Sequence, residues 1–121
     1  SVIVILATDA PLLSVQLDRL AKRASLGLGR VGSFAASSIG EIAFAFSTSN
    51  RVTRMAKEKS REMDMSFVSD EHVNPLYEAA VEATHEAVLN AMFCSSGMDG
   101  REGRFAPALP LDLVRSSLGR K

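Results

Sequence analysis

A chain of 121 residues has room for one small domain, and an apolar share of 46% with a charged share of 23% excludes intrinsic disorder. A formal net charge of zero lacks the footprint of a nucleic-acid binder or a membrane-surface protein. The single cysteine, Cys94, excludes a disulfide framework within the chain, and its apolar helical setting predicts a small core residue rather than a nucleophile.

Taken in chain order, Val2 to Ala7 is an unbroken apolar run that predicts a strand buried on both faces, as in the centre of a sheet. Residues 8–32 predict one helix, with Asp9 as cap and Pro11 near the first turn. Leu13, Leu17, Leu20, Ala21, Ala24 and Leu28 share one face of it, and Asp18, Lys22 and Arg23 line the other. Gly27, Gly29 and Gly32 then unravel it. A Ser- and Ala-rich loop over 32–40 leads to a second strand in "EIAFAFSTSN", with Ile42, Phe44 and Phe46 on one face and Glu41, Ala43 and Ala45 on the other.

Residues 51–72 predict a surface excursion with one short helical or strand piece. Asn74 and Pro75 open a second strong helix that Gly97 ends. Leu76, Ala80, Ala83, Ala87 and Ala91 form its stripe, widened by Tyr77, Val81, Val88 and Met92. The tail beyond it predicts loop, with two prolines. Two strands and two helices cannot cover a doubly buried strand, so a partner chain or segment is expected to complete the sheet.

Several patterns have plain structural readings. Gly27, Gly29 and Gly32 spell G-x-G-x-x-G, but at a helix end rather than at the helix start that a dinucleotide phosphate needs, which predicts C-capping. Glu78, Glu82 and Glu86 predict a solvated helix face, and His85 lacks the converging ligands of a metal site. "RVTRMAKEKSR" holds five basic residues against one acidic residue and predicts a plain surface segment.

Ser1 is different. It begins the chain without a Met and directly on the strand, either as a fragment boundary or as the product of a proteolytic cut. An N-terminal Ser combines a nucleophilic hydroxyl with an α-amine, a group that as a class titrates near neutral pH and can serve as base.

"SVIVILATDAPLLSVQLDRLAKRASLGL", "GEIAFAFSTSN", "NPLYEAAVEATHEAVLNAMF" and "GREGRFAPALPLD" together resemble the small subunit of the DmpA family, the L-aminopeptidase/D-esterase-amidases and β-peptidyl aminopeptidases. The resemblance runs over nearly the whole chain and is weakest over 51–72. It implies a precursor that cuts itself, with the new N-terminal Ser as nucleophile. The fold it implies is α/β, part of a four-layer α/β/β/α sandwich resembling that of the N-terminal-nucleophile hydrolases and completed by a separate large subunit. Residues 1–121 are then the small catalytic subunit of a tetramer of two-chain units.

By the same resemblance, Ser1 matches the nucleophile and Glu41 an acid that supports it through a hydrogen-bond network. The family places a serine two residues before that acid, where this chain has Ile39. Either the loop is shifted by one residue, with Ser38 as the supporting hydroxyl, or the hydroxyl is missing. The oxyanion donor and the group that holds the substrate amine are expected in the large subunit. No cofactor, metal, nucleic-acid or membrane partner is expected. The expected activity is release of N-terminal α- or β-amino acids from short peptides, amides or esters through an acyl-enzyme. The alternatives are an acyltransferase like the ornithine acetyltransferases, whose nucleophile is typically Thr, and a non-catalytic interaction domain. No apolar run approaches the roughly 20 residues that span a bilayer, and the compartment, cytoplasmic or periplasmic, stays open.

Overall fold

The structure, a computed structural model, describes residues 1–52 and 62–119, so most of the basic segment lies outside the described residues. The chain divides into two compact units, Ser1–His85 and Glu86–Lys121. In the first unit, strand β1 (Val2–Thr8) pairs in parallel with strand β2 (Glu41–Ser47), in a register that sets Val2 beside Glu41 and Thr8 beside Ser47. Parallel neighbours need a crossover. Helices α1 (Ser14–Lys22) and α2 (Ala24–Arg30) supply it.

Alternation along the strands gives the sheet two unlike faces. Val4, Leu6, Ala43 and Ala45 lie on the half-buried face. Leu12 and Leu20 pack there with Ala80, joined by Leu6, Ala45, Leu17 and Leu76. Ile3, Ile5, Ile42, Phe44 and Phe46 lie on the other face, where Ile3 and Ile5 are each 65% exposed and Phe44 is 58% exposed. The strand expected to be buried on both faces is therefore covered on one only. Among the described residues, β1 and β2 have only each other as strand neighbours.

The helix expected over 8–32 is two helices, and Asp9 does not cap the first. Thr8 Oγ1 accepts the Ala10 amide at 3.1 Å, and the Pro11 carbonyl accepts the Val68 amide at 3.0 Å, so residues 8–11 are engaged outside any helix. Helix α1 starts five residues after Asp9, where Gln16 Oε1 accepts the Leu13 amide at 3.1 Å. At Arg23 the bonding tightens to i→i+3, Arg23 N–H to the Leu20 carbonyl and Leu26 N–H to that of Arg23, each 3.0 Å, which separates α1 from α2. The Arg23 guanidinium stacks over Tyr77 at 4.0 Å from the ring centroid.

The three glycines have separate roles. Gly27 lies inside α2, where a Cβ would stand 2.7 Å from Thr84 Cβ and from the Val81 carbonyl oxygen; a side chain there would keep the helices apart. Gly29 faces open space. Only Gly32 caps: its φ of +98° suits glycine, and the amides of Ser33 and Gly32 bond to the Leu28 and Gly29 carbonyls at 3.1 Å each. That pairing is a Schellman motif.

Helix α3 (Asn74–Cys94) begins where expected, after a short 3-10 turn at Asp70–His72. Only the first part of the expected stripe, Leu76 and Ala80 with Tyr77 and Val81, faces the core. Val73 ahead of it and Ala80, Val81 and Thr84 within it are buried, whereas Ala83, Ala87 and Ala91 are exposed. The helix is rich in apolar residues all round, so periodicity alone does not choose the buried side. Thr84 is tolerated inside because its hydroxyl donates to the Ala80 carbonyl at 2.7 Å.

In the second unit, after α3, the tail is not a loop. Strands β3 (Met98–Asp99) and β4 (Phe105–Ala106) form an antiparallel hairpin, and helix α4 (Leu111–Ser117) follows. The turn uses Glu102 at φ 62° and Gly103 at φ 73°. The Phe105 ring lies over Gly97, where a Cβ would stand 2.6 Å from Cζ. No described residue of this unit is buried, which is why Cys94 is exposed rather than a core residue. Among the described residues no helix is long and apolar enough to cross a membrane.

Candidate active site

Parallel pairing brings the start of β1 and the start of β2 to the same end of the sheet. The Val2 amide bonds the Gly40 carbonyl at 3.0 Å, extending the ladder one step past Glu41. Ser1 lies at this end. Its Oγ accepts the Gly40 amide at 3.2 Å, which leaves the hydroxyl proton and a lone pair for other work. The hydroxyl is thus oriented by backbone of the loop that leads into β2.

Glu41 opens β2 on the half-buried face. Ser33 donates its hydroxyl hydrogen to Glu41 Oε1 at 2.6 Å, a short, charge-assisted bond. Among the described residues, no hydrogen bond or ion pair joins Glu41 to Ser1 directly. The two are neighbours by strand register, each held by a different part of residues 33–40.

Ser33 went unrecognised in the sequence. A readable signal exists in principle: the residue after the left-handed glycine of a helix end is fixed by its own amide, here on the Leu28 carbonyl. Ser38 lies in an exposed turn closed by the Ile39 amide on the Ala36 carbonyl at 2.9 Å, and its side chain makes no hydrogen bond among the described residues. Ile39 is 44% exposed.

Beside Glu41 an open depression of about 240 Å³ lies between the two helices and the sheet, walled by Val4, Ala24, Leu28 and Ala43. Ser1 is not in its wall. Among the described residues no group of three or more His, Cys, Asp or Glu side chains is placed to hold a metal ion. Glu78, Glu82 and Glu86 are exposed, and Glu82 pairs with Arg30 of α2; that guanidinium holds its carboxyl below the usual range, by hydrogen bond first and charge second.

A model of peptidase family S58 matches residues 1–106. The β-peptidyl aminopeptidase BapA of Sphingosinicella xenopeptidilytica is 38% identical over 112 residues, which cover 93% of this chain and 28% of that protein. The L-aminopeptidase D-Ala-esterase/amidase of Ochrobactrum anthropi, described as a prototype for the serine aminopeptidases and a new variant among the Ntn hydrolase fold, superposes with a TM-score of 0.84 at 40% identity, covering 98% of this chain and 34% of that one. A Burkholderia β-aminopeptidase superposes with a TM-score of 0.80 at 32% identity, covering 97% and 35%. The chain therefore spans between 28% and 35% of the length of these three proteins. At these identities the likeness extends to sequence, and the α/β arrangement of β1, β2 and their helices is that of the Ntn-hydrolase variant.

Proposed function

The chain belongs to peptidase family S58, and from that premise we propose that residues 1–121 are the small catalytic subunit of a self-processed serine aminopeptidase. The observation that supports this reading most is the Ser1 hydroxyl held by the Gly40 amide at 3.2 Å, one strand position from Glu41.

In the proposed reaction Ser1 Oγ attacks the carbonyl carbon of the substrate's N-terminal residue, and the hydroxyl proton passes to the neutral Ser1 α-amine. The carbon–nitrogen bond of the tetrahedral intermediate then breaks. The leaving amine takes that proton, and an ester links the released residue to Ser1. Water attacks the ester by the same proton route, freeing the amino acid and restoring the hydroxyl. Glu41 supports the amine electrostatically. The relatives act, by their names, on β-peptides, L-amino-acid derivatives and D-Ala esters and amides, and short peptides, amides or esters of α- or β-amino acids are the substrate class proposed here. The oxyanion donor and the site for the substrate amine belong, in this reading, to a large subunit made from the same precursor. Its cover for the exposed face of Ile3, Ile5, Ile42, Phe44 and Phe46 completes the four-layer sandwich, and two-chain units assemble as a tetramer.

The test is Ser1→Ala in the full-length precursor. It is expected to stay one chain on a denaturing gel and to leave amino-acid p-nitroanilides unhydrolysed. Efficient cleavage of the purified variant, with no protease present, overturns the reading.

A further inference from the structure

We propose that Ser33 is a positioning residue for this reaction, acting through Glu41; the inference rests on the reading of Ser1 and Glu41 just given. Among the described residues, Ser33 is the one side chain that hydrogen-bonds Glu41. Because an ionised carboxylate only accepts, the Ser33 hydroxyl must donate, and its oxygen stays free to accept the Ala35 amide at 3.4 Å. The hydroxyl is doubly constrained, by that amide and by the Schellman turn that ties the Ser33 amide to the Leu28 carbonyl at 3.1 Å. Oε1 is thereby occupied, and the carboxylate is anchored to the end of α2 rather than left to rotate. Oε2 accepts no hydrogen bond from a described residue, and in the reading above it is the oxygen that acts on the Ser1 amine. Ile39 carries no hydroxyl and Ser38 makes no side-chain hydrogen bond, so among the described residues Ser33 is the anchor of Glu41.

The experiment measures kcat and KM of the complete processed enzyme on an amino-acid p-nitroanilide for Ser33→Ala, Ser33→Thr, Ser33→Val, Glu41→Gln and the Ser33→Ala/Glu41→Gln double variant. Losing a hydrogen bond to a charged group predicts a fall in kcat of roughly tenfold to a hundredfold for Ser33→Ala, with KM changed by less than about twofold. Thr and Val differ at this site by the hydroxyl alone, so Ser33→Thr is expected to keep most of the activity and Ser33→Val to match Ser33→Ala. The double variant is expected to be no slower than Glu41→Gln. A wild-type kcat for Ser33→Ala or Ser33→Val beside a slow Glu41→Gln overturns the role of Ser33 and leaves the wider reading standing. A Ser33→Ala loss that adds in full to that of Glu41→Gln also overturns it. A wild-type kcat for Glu41→Gln itself removes both, and is told apart because no Ser33 variant is involved.

Discussion

The Gly40 amide donates to Ser1 Oγ at 3.2 Å while the Gly40 carbonyl accepts the Val2 amide at 3.0 Å, so one residue holds both the hydroxyl and the strand behind it. A Cβ at Gly40 would lie 3.8 Å from Ser1 Oγ, an ordinary contact. Gly40→Ala is therefore expected to keep kcat within about threefold, whereas Gly40→Pro, which deletes the donor, lowers it by roughly tenfold or more. Initial rates on a p-nitroanilide substrate decide between these; a Gly40→Pro enzyme as fast as Gly40→Ala shows that the amide does not orient the nucleophile.

Glu41→Gln keeps the shape and removes the charge. If the carboxylate supports the Ser1 amine, kcat falls by roughly a hundredfold or more, the scale of positioned acid–base groups, and KM changes less if, as proposed, the large subunit holds the substrate amine. Turnover by processed Glu41→Gln enzyme at near wild-type kcat makes Glu41 a bystander.

Five large apolar side chains line the uncovered sheet face, Ile3, Ile5, Ile42, Phe44 and Phe46. Such a surface is a liability in a chain on its own. Expressed by itself, the 121-residue chain is expected to be insoluble or to bind a hydrophobic dye without a cooperative melt. A sharp amide spectrum and a single thermal transition for the lone chain would refute this.

Gly27 and Gly29 sit two residues apart in α2 and are expected to respond with opposite sign. Gly27→Ala forces a Cβ to 2.7 Å from Thr84 Cβ and the Val81 carbonyl, and overpacking of this kind costs about 1–3 kcal/mol. Gly29→Ala meets open space and gains up to about 1 kcal/mol of helix propensity. Melting temperatures of the two variant enzymes are the measurement, and a stabilised Gly27→Ala contradicts the close crossing of α2 and α3.

Asp70 joins the 3-10 turn to α1, accepting from Gln16 Nε2 at 3.1 Å and from Arg19 at 3.1 Å. The Gln16 hydrogen bond first, then that of Arg19, hold its carboxyl below the usual aspartate range. A carboxyl depressed in the folded state contributes stability that is complete above its unfolded value and lost as pH falls through the folded one. Asp70→Asn is accordingly expected to flatten the acid limb of melting temperature against pH, below about pH 4. Equal acid loss in both proteins would show that these bonds do not hold Asp70 in solution.

Much of this arrangement was legible in the residues. β1 declares itself by an apolar, β-branched run and β2 by two-residue alternation, and Asn74–Pro75 marks the start of α3, because these are local backbone preferences. The expectation of a partner also came from the residues, since two helices cannot cover both faces of two apolar strands, and the structure leaves Ile3, Ile5, Ile42, Phe44 and Phe46 exposed on one face. What stayed hidden depends on contacts between segments far apart in sequence. Gly27 looks like a helix terminator until α3 is seen against it. Ser38 is nearer to Glu41 in sequence than Ser33, yet Ser33 reaches it, because the left-handed turn at Gly32 sets the path of the loop and so decides which hydroxyl meets the carboxylate. Sequence determined which residue types were available at the end of the sheet; only the tertiary path of residues 32–40 decided which of them touch.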